Sequence, residues 1–178
     1  RSTLFPYTTL FRSRSCLSIT QGGDILVGHL VGQRRHQAAY VLGNYFFRWS
    51  MIITLTGSAL LALAGRSILS AFTDNPEIIA MGVWVLFIDW FLEIGRTSNI
   101  FAVGTLRATG DAIYPVVIAI IFNWSIAVGL SYVIGIPLGF GLVGMWVGFA
   151  LDENIRGIIL MRRWRSGKWR NKGFVKKI

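Results

Sequence analysis

The sequence predicts an all-α, polytopic membrane bundle, and three observations carry that reading. Of the 178 residues, 53% are apolar or aromatic and 15% are charged, whereas a soluble domain is about a quarter charged. The mean hydropathy is +0.56. Four apolar stretches are long enough for a helix to cross hydrocarbon, which takes about 20 residues, and none shows the sustained two-residue alternation of a membrane β-strand. Four full transmembrane helices plus a partial one are expected.

The element order begins with a segment that does not read as native. Residues 3–13, Thr-Leu-Phe-Pro-Tyr-Thr-Thr-Leu-Phe-Arg-Ser, look like the conceptual translation of a sequencing-library adapter, and Arg1-Ser2 looks like the end of another copy. Pro6 and Arg12 interrupt any signal-peptide apolar core. Residues 1–15 are therefore set aside as adapter-like, with native coding sequence expected from about Ser15 or Cys16. Leu17 to Val31 is apolar but short for a crossing, and reads as the inner half of a helix.

The first full span is expected from about Tyr45 to Phe72, with Gly57, Ser58, Ala62 and Gly65 as small residues for close packing. Asp74-Asn75-Pro76-Glu77 is a polar turn in which Asp74 or Asn75 caps the next helix and Pro76 occupies its first turn. The second span then runs from Ile78 to about Gly104. Thr109-Gly110-Asp111 breaks it from the third, Ile113 to Ile136, where Pro115 sits at a tolerant helix start. Gly135-Ile136-Pro137-Leu138-Gly139 precedes the fourth, Leu142 to Met161.

Net charge is +10, from 18 Lys and Arg against 8 Asp and Glu, and its placement matters more than its size. Arg34 and Arg35 precede the first span with Arg48 at its first turn, Arg107 lies at the second-to-third turn, and Arg162, Arg163, Arg165, Lys168, Arg170, Lys172, Lys176 and Lys177 follow the fourth. The intervening loops carry no Lys or Arg, so the basic ends are expected in the cytoplasm. A basic tail at residues 165–178 is read as a topology and headgroup anchor rather than a nucleic-acid site. Trp164 and Trp169, set among these charges, are expected as interfacial anchors, and Arg66 is expected to snorkel to the opposite interface.

Several chemistries lack their residues. One cysteine, Cys16, excludes a disulfide framework, and two histidines, His29 and His36, are too few to anchor a His-based site without carboxylate help. No phosphate-binding GxxxxGK[ST] loop is present, and no serine–histidine–acid arrangement stands out. The chain is read as no enzyme, with no catalytic residues, resident metal or cofactor.

The chemistry lies instead in ionisable groups inside the spans, which are costly in hydrocarbon and face a cavity or a partner. Asp89, Glu93, Arg96 and Asn99 follow one drifting face of the second span and form the candidate ion-coupling or substrate cavity. Asp152, Glu153 and Arg156, with Asn154, form a polar cluster in the fourth, where Arg156 reaches Asp152 at i+4 or Glu153 at i+3. That cluster reads as structural, tying the last helix to its neighbours. Thr54, Thr56, Ser58, Asn123 and Ser125 are candidates for a shared polar interior.

ILVGHLVGQRRHQAAY (Ile25–Tyr40), LEIGRTSNIFAVGTLRATGDAIYPV (Leu92–Val116) and GLVGMWVGFALDENIRGIILMRRWRSGKW (Gly141–Trp169) resemble multidrug and toxic compound extrusion (MATE) transporters. The resemblance spans about residues 17–170, and the LRATGD turn and LDENIRGI helix are its specific parts. It implies a twelve-helix, two-lobe fold with both termini cytoplasmic, exchanging small organic cations for H⁺ or Na⁺ by alternating access. Residues 16–164 then correspond to the end of the eighth helix and helices nine to twelve of the C-terminal lobe. The partners implied are the lipid bilayer of the cytoplasmic membrane and a missing N-terminal lobe. A sodium-coupled branch carries an acid in the tenth helix near the place of Arg96, whereas here the acid is one turn earlier, at Glu93. Alternatives are a lipid-linked saccharide flippase of the same superfamily and a non-transporting membrane subunit.

Overall fold

The structure, a computed structural model, describes residues 22–171. The adapter-like segment and the end of the basic tail lie outside the described residues. Among those described, every regular element is helical: α1 (22–32), α2 (His36–Leu63), α3 (Gly65–Ser70), α4 (Pro76–Ala108), α5 (Ile113–Phe122), a π-helical stretch (Asn123–Leu130), α6 (Ser131–Gly135), α7 (Gly141–Arg165) and a 3₁₀ turn (Lys168–Asn171).

Three continuous helical runs are long and apolar enough to cross a membrane: His36–Leu63, Pro76–Ala108 and Ile113–Gly135. The fourth expected span, α7, has 25 residues, about 37 Å at 1.5 Å per residue, but Asp152, Glu153, Arg156 and three terminal arginines dilute its hydropathy. The protein is a multi-pass membrane helical bundle. Its surface carries the apolar residues, with Trp84 66%, Ile120 58% and Trp124 70% exposed. Its interior holds Ser50, Thr54, Ser58, Asp89, Glu93, Thr97 and Thr105. Beside them lies an apolar core around Phe101, Leu106, Leu160 and Trp164; lipid solvates the exposed apolar groups, and buried polar groups must partner one another.

The first span begins nine residues before the expected Tyr45, at His36, so Arg48 lies well inside the helix rather than at its start. α3 continues it after a break at Ala64. At the polar turn the Asn75 side chain accepts from the Glu77 N–H at 3.0 Å, and Pro76 opens α4, the capping arrangement such a turn favours.

α4 is the hub and packs against α2, α3 and α7. Its end explains the LRATGD motif. Gly110 takes φ 91°, its N–H bonds the Arg107 carbonyl at 3.0 Å, and the Asp111 N–H bonds the Leu106 carbonyl at 2.8 Å. That is a Schellman closure, which needs the left-handed conformation glycine adopts freely. It delivers Asp111, 1% exposed, to the α7 arginine Arg163 at 2.8 Å, and the Arg163 guanidinium lies 4.6 Å from the Tyr114 ring centroid.

The expected interfacial role of Trp164 and Trp169 is overturned, since both are 0% exposed. Gly167, at φ 68°, turns the chain back so that the two indoles stack 4.8 Å apart at 9°. Trp169 Nε1 donates to the Trp164 carbonyl at 3.0 Å. Tyr40 also stacks with Trp164, and Phe101 meets Trp164 edge-on. Residues 168–171 of the expected tail are thus folded onto the bundle.

Candidate functional site

The site forms where α4 and α7 cross, and glycine permits that crossing. A Cβ at Gly95 would lie 2.5 Å from the Asn154 Cα, and one at Gly157 would lie 2.8 Å from the Gly95 carbonyl oxygen. No side chain fits at either point, so the two backbones touch. The Asn154 amide secures the crossing by donating to the Phe91 carbonyl of α4 at 3.2 Å and to the Ala150 carbonyl of its own helix at 2.8 Å.

Around this point the two motifs converge. On α4, Asp89 is 8% and Glu93 5% exposed. Glu93 Oε1 accepts from Arg96 Nη1 at 3.0 Å, with side-chain exposures of 7% for Glu93 and 38% for Arg96, so the acid is interior and its guanidinium sits at a rim. On α7, Arg156 pairs with both Asp152 and Glu153. Glu153 then uses its second oxygen to accept from the Asn99 amide of α4 at 2.8 Å. Asn99 therefore joins two groups that the sequence treats as separate sites. Within the α7 cluster the Arg156 pairs are intrahelical, and the tie to the neighbouring helix is made by Asn99, Asn154 and the two glycines.

The polar row of α2 faces the interior at four-residue steps: Ser50, Thr54 and Ser58 are 2%, 5% and 2% exposed, and the Ser58 hydroxyl donates to the Thr54 carbonyl at 2.8 Å. Trp90 Nε1 links α4 to the Leu55 carbonyl at 3.3 Å. Thr56, Asn123 and Ser125 are exposed instead and do not join this interior. A cavity of about 290 Å³ lies beside the crossing, bounded by Gly95, Ser98, Asn154 and Gly157, with Arg162 and Arg165 in its wall.

One half-buried acid escaped the sequence reading. Asp24 of α1 lies against the Gly104 backbone of α4, so closely that a Cβ at Gly104 would overlap its Oδ2. Its Oδ1 is buried without a hydrogen-bond partner among the described residues. The available signal was an acid set in Gly22-Gly23-Asp24-Ile25-Leu26-Val27, a stretch classed simply as apolar.

The cluster is acidic on balance. Asp89, Glu93, Asp152 and Glu153 share the crossing with Arg96 and Arg156, while Arg162 and Arg165 stand in the wall of the adjoining cavity; carboxylates outnumber guanidiniums at the crossing itself, a balance that favours a cation.

The MatE family model matches residues 4–133 of this chain. The chain is 40% identical over 158 residues to the uncharacterized transporter YisQ of Bacillus subtilis, covering 89% of this chain and 35% of YisQ. It is 28% identical over 156 residues to the probable multidrug resistance protein NorM of Thermotoga maritima, covering 84% of the chain and 32% of that protein. A NorM of Idiomarina loihiensis is 23% identical over 164 residues, covering 89% and 36%. The chain spans about a third of the length of these curated relatives. No solved structure gives a significant match.

Proposed function

From the membership of this chain in the MatE family, we propose that it forms part of a secondary active efflux transporter that exchanges small organic cations for H⁺ or Na⁺. The observation that carries the reading is the acid-rich cluster at the α4–α7 crossing, with Glu93 buried and its Arg96 partner at the rim. A coupling cation arriving at Glu93, with Asp89 one turn away, competes with Arg96 for the carboxylate. A cationic substrate competes for the same charge. Asn99, on the same helix as Glu93, ties α4 to Glu153 of α7 through its amide, so a shift of α4 reaches α7. Two ligands that exclude each other at one group and favour different helix arrangements satisfy the requirement for antiport.

The reading has the chain acting with a second lobe in the cytoplasmic membrane, its basic C-terminal end inside. The excess of carboxylates favours a cation over the anionic cargo of a lipid-linked saccharide flippase. Efflux of a fluorescent organic cation from cells expressing the full-length transporter with Glu93→Gln tests the assignment. Efflux is expected to fall and to lose its dependence on the H⁺ or Na⁺ gradient; transport with unchanged rate and ion dependence refutes it.

A further inference from the structure

At the end of the bundle opposite the basic tail, a cleft of about 730 Å³ opens between α3, the turn after it and α4. Its walls divide by chemistry. Arg66 and Asp74 line it with opposite charges; both are exposed and neither has an ion-pair partner among the described residues. Below them the wall is apolar and aromatic, formed by Ile79, Val83, Trp84 and Phe87 on one face of α4. Trp84 and Phe87 also wall a second hollow of about 270 Å³ that continues towards Phe91 and Leu151.

We propose that this cleft holds a membrane phospholipid with a zwitterionic, amine-bearing headgroup. Its phosphate lies at Arg66, its ammonium at Asp74 and one acyl chain along Val83, Trp84 and Phe87. Charge complementarity selects this occupant. A purely anionic headgroup meets Asp74 and a purely cationic amphiphile meets Arg66, whereas a phosphate with a tethered ammonium satisfies both. The dimensions agree, because Pro76 to Phe87 spans about 16 Å of helix and one leaflet contributes about 15 Å of hydrocarbon. The packing of α3 on α4 holds the cleft open: a Cβ at Gly82 would lie 2.7 Å from Leu69 Cδ1, and one at Gly65 would lie 2.5 Å from Leu86 Cδ1. The two helices are interlocked on one side and leave the aromatic face beside them clear.

The test is native mass spectrometry of the full chain released from nanodiscs of equimolar phosphatidylethanolamine and phosphatidylglycerol. Retention of phosphatidylethanolamine in preference is expected, by about fivefold for one interfacial charge contact. Asp74→Asn should abolish the preference, and Arg66→Gln should lower retention of both lipids. Both side chains are exposed and unpaired, so these variants should keep the helical circular dichroism and melting point of the parent. Ala80→Trp, which fills the apolar wall, should expel both lipids at unchanged helix content. Equal retention of the two lipids, no retained lipid at all, or an Asp74→Asn variant that keeps the preference would each overturn the proposal.

Discussion

Asn99 on α4 donates its side-chain amide to Glu153 on α7 at 2.8 Å, while the other oxygen of Glu153 accepts from Arg156 of its own helix at 3.0 Å. One carboxylate thus reads the position of two helices. Removing the Asn99 amide (Asn99→Ala) is expected to cost about 1 kcal/mol, the scale of an interhelical polar contact in a membrane. Glu153→Gln should cost a comparable amount, and the two should be non-additive when unfolding is followed in mixed detergent. Strict additivity would mean that the contact contributes nothing to the fold.

The glycine crossing makes a sharper demand. Gly95→Ala places a methyl group against the Asn154 backbone and should destabilise by about 1–3 kcal/mol through overpacking. Gly57→Ala meets nothing within 4 Å and should be neutral or stabilising by up to about 1 kcal/mol, from helix propensity alone. Thermal melts of the two variants should therefore shift in different directions. Equal shifts would remove the backbone contact from consideration.

Asp111 and Arg163 close the α4–α5 turn against α7 at 2.8 Å, with the acid 1% exposed. Asp111→Asn strands a partly buried guanidinium, and breaking such a pair costs about 3–5 kcal/mol. Amide exchange in residues 106–116 should rise more than elsewhere in the chain. Uniform protection across the bundle would show that the pair is dispensable.

Trp169 supplies a test of the corrected tail. Because its ring is fully buried on Trp164, Trp169→Ala should cost about 3–5 kcal/mol and expose the basic segment to trypsin after Arg165. A ring anchored in headgroups would instead be replaceable with little loss of stability and no new cleavage.

These residues show what was legible in the sequence. Hydropathy marks where α4 and α5 lie because lipid rewards a continuous apolar run, and Asn75 and Pro76 announce a helix start by local hydrogen bonding alone. The i+3 and i+4 spacings place Arg96 beside Glu93 and Arg156 beside Asp152 and Glu153 for the same local reason. The union of those two groups through Asn99 depends on the α4–α7 crossing point, a tertiary fact that no spacing within one helix contains. The start of α2 was obscured because His36 to Asn44 is polar at intervals yet helical, held against Trp164 by Gly43 and Tyr40. The π-helical stretch Asn123–Leu130 leaves no compositional trace, since it differs from an α-helix in hydrogen-bond step and not in residue type. Trp164 and Trp169 were misread because their neighbours in sequence are basic, while their neighbours in space are aromatic.

The charges of α7 also bear on how the chain enters a membrane. Asp152 and Arg156 lie near the middle of that helix, where each such residue opposes insertion of a lone segment by about 2.5–3.5 kcal/mol. Their compensation is the intrahelical pairing of Arg156, with Asn99 of α4 sharing the load at Glu153. α4 emerges from the ribosome well before α7 and offers Gly95 and the Phe91 carbonyl as a landing strip for Gly157 and Asn154. The last span is therefore brought into the bilayer by its predecessor, and a lesion in α4 should surface first as misinsertion of a helix synthesised later.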